Sequence, residues 1–257
     1  MTSTLVIIPT YNERENLAAI AARVLAQDDV DLLVVDDNSP DGTGHIADTL
    51  VARDSRVHVL HRAGKEGLGA AYRAGFAWGL DRGYDILVEL DGDGSHQPEE
   101  LDRLRERLVD ADVVMGSRWV PGGSVVNWPW RREALSRAGS WYARLALGLP
   151  FRDVTGGYRA FSADALRRVK FEEVVSQGYC FQVDMLLRSW RAGLTVVEAP
   201  ITFVERELGY SKMSGRIVIE AMLRVTWWGV IGLPRRITQL GRAPQVDNSP
   251  RRTAHVS

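Results

Sequence analysis

Residues 85–100, DILVELDGDGSHQPEE, decide the fold prediction for this chain. A short apolar run passes directly into a loop that carries Asp91, Gly92 and Asp93, and Pro98 then stands where the first turn of a helix is expected. A strand, a loop and a helix in this order are part of a βαβ unit, whose strand is buried in a parallel sheet. The stretch therefore predicts an α/β protein with acidic side chains at the carboxyl end of a strand.

The same alternation continues on both sides of this stretch. Strands are predicted at residues 5–9, 31–37, 57–60, 85–90 and 112–116, near 158–161 and from 194 to 203. Helices are predicted at residues 17–25, 70–80, after Pro98, and around 135–147 and 179–190. Asn12 with Glu15 resembles a capping box ahead of the first helix. The pattern predicts a mostly parallel sheet flanked by helices.

Composition excludes several classes of protein. The 257 residues are 45% hydrophobic and 25% charged, as in an ordinary globular protein. Because 32 basic residues balance 33 acidic ones, no overall field attracts nucleic acid, and we expect no nucleic-acid partner. The single cysteine, Cys180, cannot form an internal disulfide, so a reducing cytoplasm is expected. The most apolar segment, residues 217–233, is interrupted by Glu220 and Arg224, so no spanning helix is predicted.

Polar groups follow three of the predicted strands. Ligands bind open parallel sheets beyond the carboxyl ends of the strands, so these groups are expected to share one crevice. The groups are Pro9, Tyr11 and Glu13 after the first strand, Asp36 and Asp37 after the second, and Asp91 and Asp93 after the fourth. Neither a GxGxxG nor a GxxxxGK[ST] motif is present, which argues against a dinucleotide site or a P-loop.

The pair Asp91 and Asp93 is the sharpest single feature of the sequence. Two carboxylates around a glycine suit Mg²⁺ or Mn²⁺ shared with a substrate diphosphate. The alternative is a solvated acidic turn, and the other strand ends are what favour the metal site.

Seven strings, in this order and spacing, resemble the inverting GT-A glycosyltransferases of family 2 and, within them, the polyprenol (dolichyl) phosphate mannose synthases. The strings are VIIPTYNERENL, VVDDNSPDGT, GLGAAYRAGF, ELDGDGSHQPEE, GSRWVPGG, NWPWRR and YSKMSG. The resemblance covers residues 4–232. It implies a GT-A, Rossmann-like catalytic domain at residues 1–213, followed by an amphipathic, membrane-interface helix at 214–240 and a disordered tail at 241–257.

The resemblance also implies roles for single residues. Pro9, Tyr11, Glu13, Asp36 and Asp37 would bind the nucleoside, with Asp37 on guanine, while Asp91 and Asp93 would hold the diphosphate and a Mg²⁺ or Mn²⁺ ion. Asp93 is also placed among the catalytic residues, with four cations around the sugar and the acceptor phosphate: Arg118, Arg132, Arg206 and Lys212. Relatives often carry glutamine as a third metal ligand where this chain has Ser95. Gln97, His96 or a water are the alternatives to Ser95.

The expected acceptor explains this choice of cations. A lipid monophosphate is already largely a dianion at neutral pH, since its second pKa is about 6, so no general base is needed. Arginine and lysine can instead bring one anion toward another. Asp184 lies where many inverting enzymes of this fold keep a base. Here we expect it to orient a cation or an acceptor-side group, or else to be a structural partner.

The implied reaction is inverting transfer of mannose from GDP-mannose to a polyprenyl monophosphate, giving a lipid-linked sugar donor for lipoglycan biosynthesis. Alternatives are a UDP-sugar transferase of the same fold and a non-catalytic nucleotide-sugar-binding or scaffold protein. Because the acceptor lies in a bilayer, we expect a peripheral protein on the cytoplasmic face of the membrane, with an integral-membrane protein as a possible partner. Trp128, Trp130, Trp227 and Trp228 are the expected contacts with the interface.

Overall fold

The computed structural model of the chain describes residues 2–176, 178–205 and 221–231. The strands are β1 Thr4–Thr10, β2 Val30–Asp36, β3 Val57–His61, β4 Ile86–Glu89, β5 Val113–Ser117, β6 Ser124–Val126, β7 Arg159–Ser162, β8 Val196–Pro200 and β9 Thr202–Val204. The helices are α1 Leu17–Leu25, α2 Thr43–Arg53, α3 Leu68–Asp81, α4 Leu101–Arg107, α5 Trp130–Leu147, α6 Ala163–Val169, α7 Tyr179–Arg191 and α8, residues 221–231.

Seven strands form the central sheet in the order β3-β2-β1-β4-β7-β5-β8. Strand β1 pairs in parallel with β2 and β4, and β7 runs antiparallel between β4 and β5. The carboxyl ends of β1 to β4 therefore lie along one edge of the sheet. The predicted mostly parallel sheet flanked by helices is confirmed.

Both faces of the sheet are buried, which explains why its strands are nearly continuous apolar runs. Leu5 and Ile7 point to one hydrophobic cluster and Val6 and Ile8 to the other, because successive side chains of a strand alternate between faces. Helix α3 lies very close to β1. A Cβ on Gly75 would stand 2.6 Å from Cγ2 of Ile7, so a residue without a side chain is required there.

Two local predictions are wrong. No capping box forms at Asn12, which has a positive φ of 59°, and α1 begins only at Leu17. The carbonyl of Glu13 accepts the first backbone bonds of this helix instead. The predicted strand at 194–203 is two strands, since Ile201 separates β8 from β9, which leaves the main sheet and pairs with β6.

Helix α8 has one face against the protein and one toward solvent. Val225 is 3% exposed, and Gly229 packs so closely on α5 that a Cβ there would lie 2.5 Å from the Ala146 carbonyl oxygen. The opposite face exposes Met222, Leu223, Trp227, Val230 and Ile231. The remainder of the predicted 214–240 helix and the 241–257 tail lie outside the described residues. Among the described helices, none has the length and apolar character that crossing a bilayer requires.

Candidate active site

The loops that follow β1, β2 and β3 are tied together by their backbones. The N–H of Asp37 donates to the carbonyl of Thr10 at 3.0 Å, and the N–H of Arg62 donates to the carbonyl of Asp36 at 2.9 Å. Glu13, at the entrance to α1, joins this group because its N–H donates to Oγ1 of Thr43 at 3.0 Å. The structure thus brings the predicted nucleoside-side residues, from Pro9 to Asp37, to one edge of the sheet.

Asp36 and Asp37 have different surroundings although they are neighbours. The Asp36 carboxylate is buried and accepts hydrogen bonds from the Thr10 hydroxyl at 3.0 Å and from the Ser39 hydroxyl and N–H at 2.6 and 3.1 Å. It therefore connects the first two loops. A direct contact of Asp36 with a nucleoside stays a prediction.

Asp37 faces a cation that the sequence patterns did not single out. Nη1 of Arg62 donates to Oδ1 of Asp37 at 2.5 Å, and Nη2 donates to Glu66 at 2.6 Å. Burial raises the pKa of Asp37 above its ordinary value, and the charge of Arg62 limits this rise. The neighbouring Lys65 lies over the ring of Tyr11, with Nζ 4.1 Å from its centroid.

The Asp91–Asp93 loop leaves β4 beside these groups. Asp91 lies near the Tyr72 hydroxyl, 3.5 Å from Oδ1, and near Nε2 of His96, 3.8 Å from Oδ2. The N–H of Ser95 donates to Oδ1 of Asp93 at 3.0 Å. Asp93 also lines an open cleft together with residues of α1 and with Gln97 and Glu205. The Asp93 carboxylate is therefore oriented by the backbone of its own turn, and the Asp91 carboxylate lies beside the side chains of Tyr72 and His96.

Arg118 is held by a buried carboxylate rather than extended into solvent. Its Nε and Nη2 each donate to Asp153 at 2.7 Å, its N–H donates to the same carboxylate at 3.0 Å, and Nη2 also reaches the Thr155 hydroxyl at 3.2 Å. Burial by itself would raise the pKa of Asp153, but Arg118 outweighs it and holds the pKa below its ordinary value. A direct contact of Arg118 with the substrate stays a prediction.

The other residues that were predicted on the acceptor side lie in different surroundings. Arg132 forms an ion pair with Glu205, at the mouth of the cleft. Trp128 packs inward, with its ring centroid 5.0 Å from that of Phe203, whereas Trp130 is 72% exposed. Trp128 is half-buried, and its contact with the membrane interface stays a prediction. Arg206 and Lys212 lie outside the described residues.

Asp184 on α7 is 8% exposed and already has two partners. It accepts a hydrogen bond from the Ser176 hydroxyl at 2.9 Å and one from Nε of Arg188 at 2.9 Å. These contacts are those of a group that orients a cation on its own helix. A role on the acceptor side stays a prediction.

Comparison with known proteins gives this arrangement a family. The family model described as Glycosyl transferase family 2 matches residues 5–170, more than half of the chain. The chain belongs to glycosyltransferase family 2. The resemblance seen in the seven strings is confirmed.

Two curated relatives match this glycosyltransferase at high sequence identity over most of its length. An undecaprenyl-phosphate mannosyltransferase of Micrococcus luteus is 60% identical over 227 residues, which cover 88% of this chain and 93% of the relative. A polyprenol monophosphomannose synthase of Mycolicibacterium smegmatis is 57% identical over 232 residues, which cover 89% of this chain and 88% of the relative.

A solved structure supports the fold. The glucosyl-3-phosphoglycerate synthase of Mycobacterium tuberculosis, in complex with Mn²⁺, UDP and glucosyl-3-phosphoglycerate, has a TM-score of 0.62 and 20% identity over 90% of this chain and 79% of its own. A second crystal structure of that enzyme, with phosphoglyceric acid, has a TM-score of 0.65 and 18% identity, covering 90% and 79%. At this identity the likeness shows the fold alone, and the predicted GT-A fold is confirmed.

The glycosyltransferase offers a donor set that fits a divalent cation together with a substrate diphosphate. In the described part of the chain, no group of three or more His, Cys, Asp or Glu side chains is placed to hold a metal ion by itself. Asp91, with 36% of its side chain exposed, and Asp93 offer two hard carboxylates. Mg²⁺ and its analogues are usually bound by one or two carboxylates with substrate phosphates and water completing the shell. The residues present fit such an ion.

Ser95, His96 and Gln97 are the candidates for a third protein ligand of the divalent ion. The Ser95 hydroxyl is buried and has no hydrogen-bond partner within the described structure. Gln97, in contrast, accepts a hydrogen bond from Nη2 of Arg23 at 2.6 Å and would have to leave it to reach a metal. Burial lowers the pKa of His96 to about 4, so its ring is neutral at physiological pH. A neutral imidazole can bind a metal ion, so Ser95, His96 and Gln97 all stay candidates and the third ligand stays a prediction.

A buried arginine and a buried glutamate that sequence reasoning missed lie beside this part of the site. Arg159, 1% exposed, donates hydrogen bonds to the carbonyls of Val154 and Gly156, both at 3.0 Å. It stands opposite Glu89, whose pKa burial raises to about 8. Charged residues inside otherwise apolar strands were the available signal. Arg159 fixes the loop that presents Asp153 to Arg118.

Proposed function

We propose that this glycosyltransferase transfers mannose from GDP-mannose to a polyprenyl monophosphate, with inversion at the anomeric carbon, giving a β-mannosyl phospholipid. The observation that carries the proposal is the pair of relatives at 60% and 57% identity, both named for joining mannose to a polyprenyl phosphate and both matched over nearly nine-tenths of this chain. These names favour mannose over the UDP-glucose alternative and catalysis over a scaffold role.

The site residues divide the work between donor and acceptor. Asp91 and Asp93 would hold the Mg²⁺ or Mn²⁺ ion, which supplies positive charge to the leaving diphosphate. Asp37 and the Tyr11 loop would bind the nucleoside. Arg132 would exchange Glu205 for the acceptor phosphate, since a guanidinium binds two phosphate oxygens at once. The acceptor is already an anion, so Asp184 would have no proton to remove.

Transfer of labelled mannose to a short-chain polyprenyl phosphate, with Mg²⁺ or Mn²⁺ present, tests this function. We expect turnover with GDP-mannose and little with UDP-glucose, and a β-anomeric product by NMR. Turnover with UDP-glucose alone would support the alternative donor, and an α-anomer would exclude inversion. Consumption of neither donor would support a non-catalytic protein.

We further propose that the enzyme works peripherally at the cytoplasmic face of a membrane, where an integral-membrane protein could help to recruit it. Two packed helices support this placement, because both carry large exposed apolar side chains: Trp130, Leu135, Trp141 and Leu145 on α5, and Met222, Leu223, Trp227, Val230 and Ile231 on α8. Arg131, Arg144 and Arg224 on the same helices are exposed. Aromatic and apolar groups beside arginines suit an anionic bilayer surface.

We expect Trp227→Glu to weaken binding to vesicles that contain anionic lipid by about ten- to a hundredfold, because a large apolar side chain no longer enters the interface. Trp227 is 63% exposed, so the fold should persist. Val109→Glu is the control, since Val109 is 84% exposed and lies after α4 rather than on α5 or α8. Vesicle flotation measures both variants. Equal binding of Trp227→Glu and the parent protein would contradict the proposed surface.

A further inference from the structure

The ion pair of Asp37 and Arg62 is the most buried pair of opposite charges on the nucleoside side of the site. The two side chains are 6% and 12% exposed, and the pair joins residues that follow β2 and β3. The backbone N–H of Glu66 also donates to the Asp37 carboxylate, and the Glu66 side chain accepts from Arg62. Position and orientation of both charged groups are therefore determined before any ligand arrives.

The pair borders the place where a nucleobase is expected. Asp37 donates its N–H to Thr10, so it lies beside the end of β1, and Tyr11 follows directly. Lys65, three residues after Arg62, lies on the Tyr11 ring. A carboxylate, a guanidinium and an aromatic ring are thus contributed by three neighbouring loops.

A carboxylate next to a guanidinium matches the polar edge of guanine. This edge presents two donors, the N2 amino group and N1–H, followed by the acceptor O6. Uracil presents one donor between two carbonyl acceptors, so one carboxylate oxygen would face a carbonyl. Adenine presents an acceptor and then a donor, which is the opposite order. Sites that pair buried polar groups with a ligand discriminate strongly against analogues that leave those groups unpaired.

We propose that Arg62 is a specificity-determining residue that donates a hydrogen bond to O6 of guanine while it holds Asp37 for N1–H and the N2 amino group. This rests on the proposed function, because it requires a guanine nucleotide at the ends of β1 to β3. The resemblance implies that Asp37 binds guanine. The proposal adds Arg62 as a second residue, which binds a different atom of the base. Glu66, 68% exposed at its side chain, anchors the other side of the guanidinium.

Calorimetry with three nucleotides and Mn²⁺ tests the two contacts separately. GDP carries all three edge groups, 6-thio-GDP replaces O6 with the weaker acceptor sulfur, and IDP lacks the N2 amino group. For the parent protein we expect 6-thio-GDP and IDP each to bind about tenfold more weakly than GDP. For Arg62→Met we expect GDP to bind about tenfold more weakly, and GDP and 6-thio-GDP to become nearly equal, while the preference for GDP over IDP persists.

Two further variants keep the result interpretable. Arg62→Lys retains a positive charge beside Asp37 and should retain part of the preference against 6-thio-GDP. Arg82→Gln is the matched control, since Arg82 lies at the far end of α3, over the Trp78 ring, and should change no ratio. Thermal unfolding checks that each variant is folded.

Equal weakening of all three nucleotides by Arg62→Met and Arg62→Lys would overturn the inference and leave the proposed function standing. If the parent protein binds UDP but not GDP, the proposed donor fails, and the inference about Arg62 fails with it. The two failures are distinguishable because the second is seen without any variant.

Discussion

Asp93→Ala is expected to lower the rate of mannose transfer by about a hundred- to a thousandfold. The variant removes a carboxylate that is proposed to hold the divalent ion against the leaving diphosphate, and electrostatic groups of this kind commonly contribute about a hundred- to a thousandfold each. The fold should persist, because Asp93 is partly exposed and its hydrogen bond to the Ser95 N–H is local to the turn. Initial rates with GDP-mannose and a polyprenyl phosphate measure the effect.

The control for this variant is Asp102→Ala. Asp102 lies on α4, has 66% of its side chain exposed and pairs only with Arg105 in the part of the chain described. We expect its rate to match that of the parent protein. If Asp93→Ala keeps more than about a tenth of the rate of the parent protein at saturating Mn²⁺, then Asp93 does not hold the catalytic ion. Loss of one such electrostatic group lowers the rate by about a hundredfold or more.

Asp153→Ala is expected to lower the free energy of unfolding by about 3–5 kcal/mol, which is the usual cost of leaving one member of a buried ion pair without its partner. Asp153 is 0% exposed and accepts three hydrogen bonds from Arg118. Urea unfolding, followed by circular dichroism, measures the change. The alanine would leave the Arg118 guanidinium buried beside the aromatic rings of Trp119 and Phe203.

A surface pair provides the comparison. Asp54 pairs with Arg56 at 2.8 Å, but 30% and 42% of the two side chains are exposed. Asp54→Ala should therefore lower the free energy of unfolding much less than Asp153→Ala does. Equal destabilisation by the two alanine variants would show that burial does not determine the contribution of the Asp153 pair.

The buried pair of Asp153 and Arg118 also predicts how the stability of the protein depends on pH. Because the pKa of Asp153 in the fold lies below its ordinary value of 3.8, the unfolded chain binds the proton more readily than the folded one. The pair therefore contributes fully above pH 3.8 and loses its contribution as the pH falls through the folded pKa. The difference in stability between the parent protein and Asp153→Ala should shrink over that acid range. A difference that stays constant with pH would contradict the assignment.

Strand positions were predictable because their patterns are local. Four consecutive apolar residues from Leu5, or four from Ile86 interrupted only by Glu89, are nearly sufficient to indicate a buried strand. The smaller sheet of β6 and β9 was not predictable in this way. Each has only three residues, too few to show an alternating pattern, although Pro200 directly before Ile201 was a local signal for the break.

The α/β class, the acidic groups at the strand ends and the family follow from the amino-acid sequence, because each depends on residues that are close in the chain or on strings of fixed order. The partners of the charged side chains are known only from the folded protein. Arg62 meets Asp37 across 25 positions, Arg118 meets Asp153 across 35, and Arg132 meets Glu205 across 73. No periodicity encodes these pairs, since an ion pair depends on distances of a few ångströms that arise only when strands and loops from separate parts of the chain pack together.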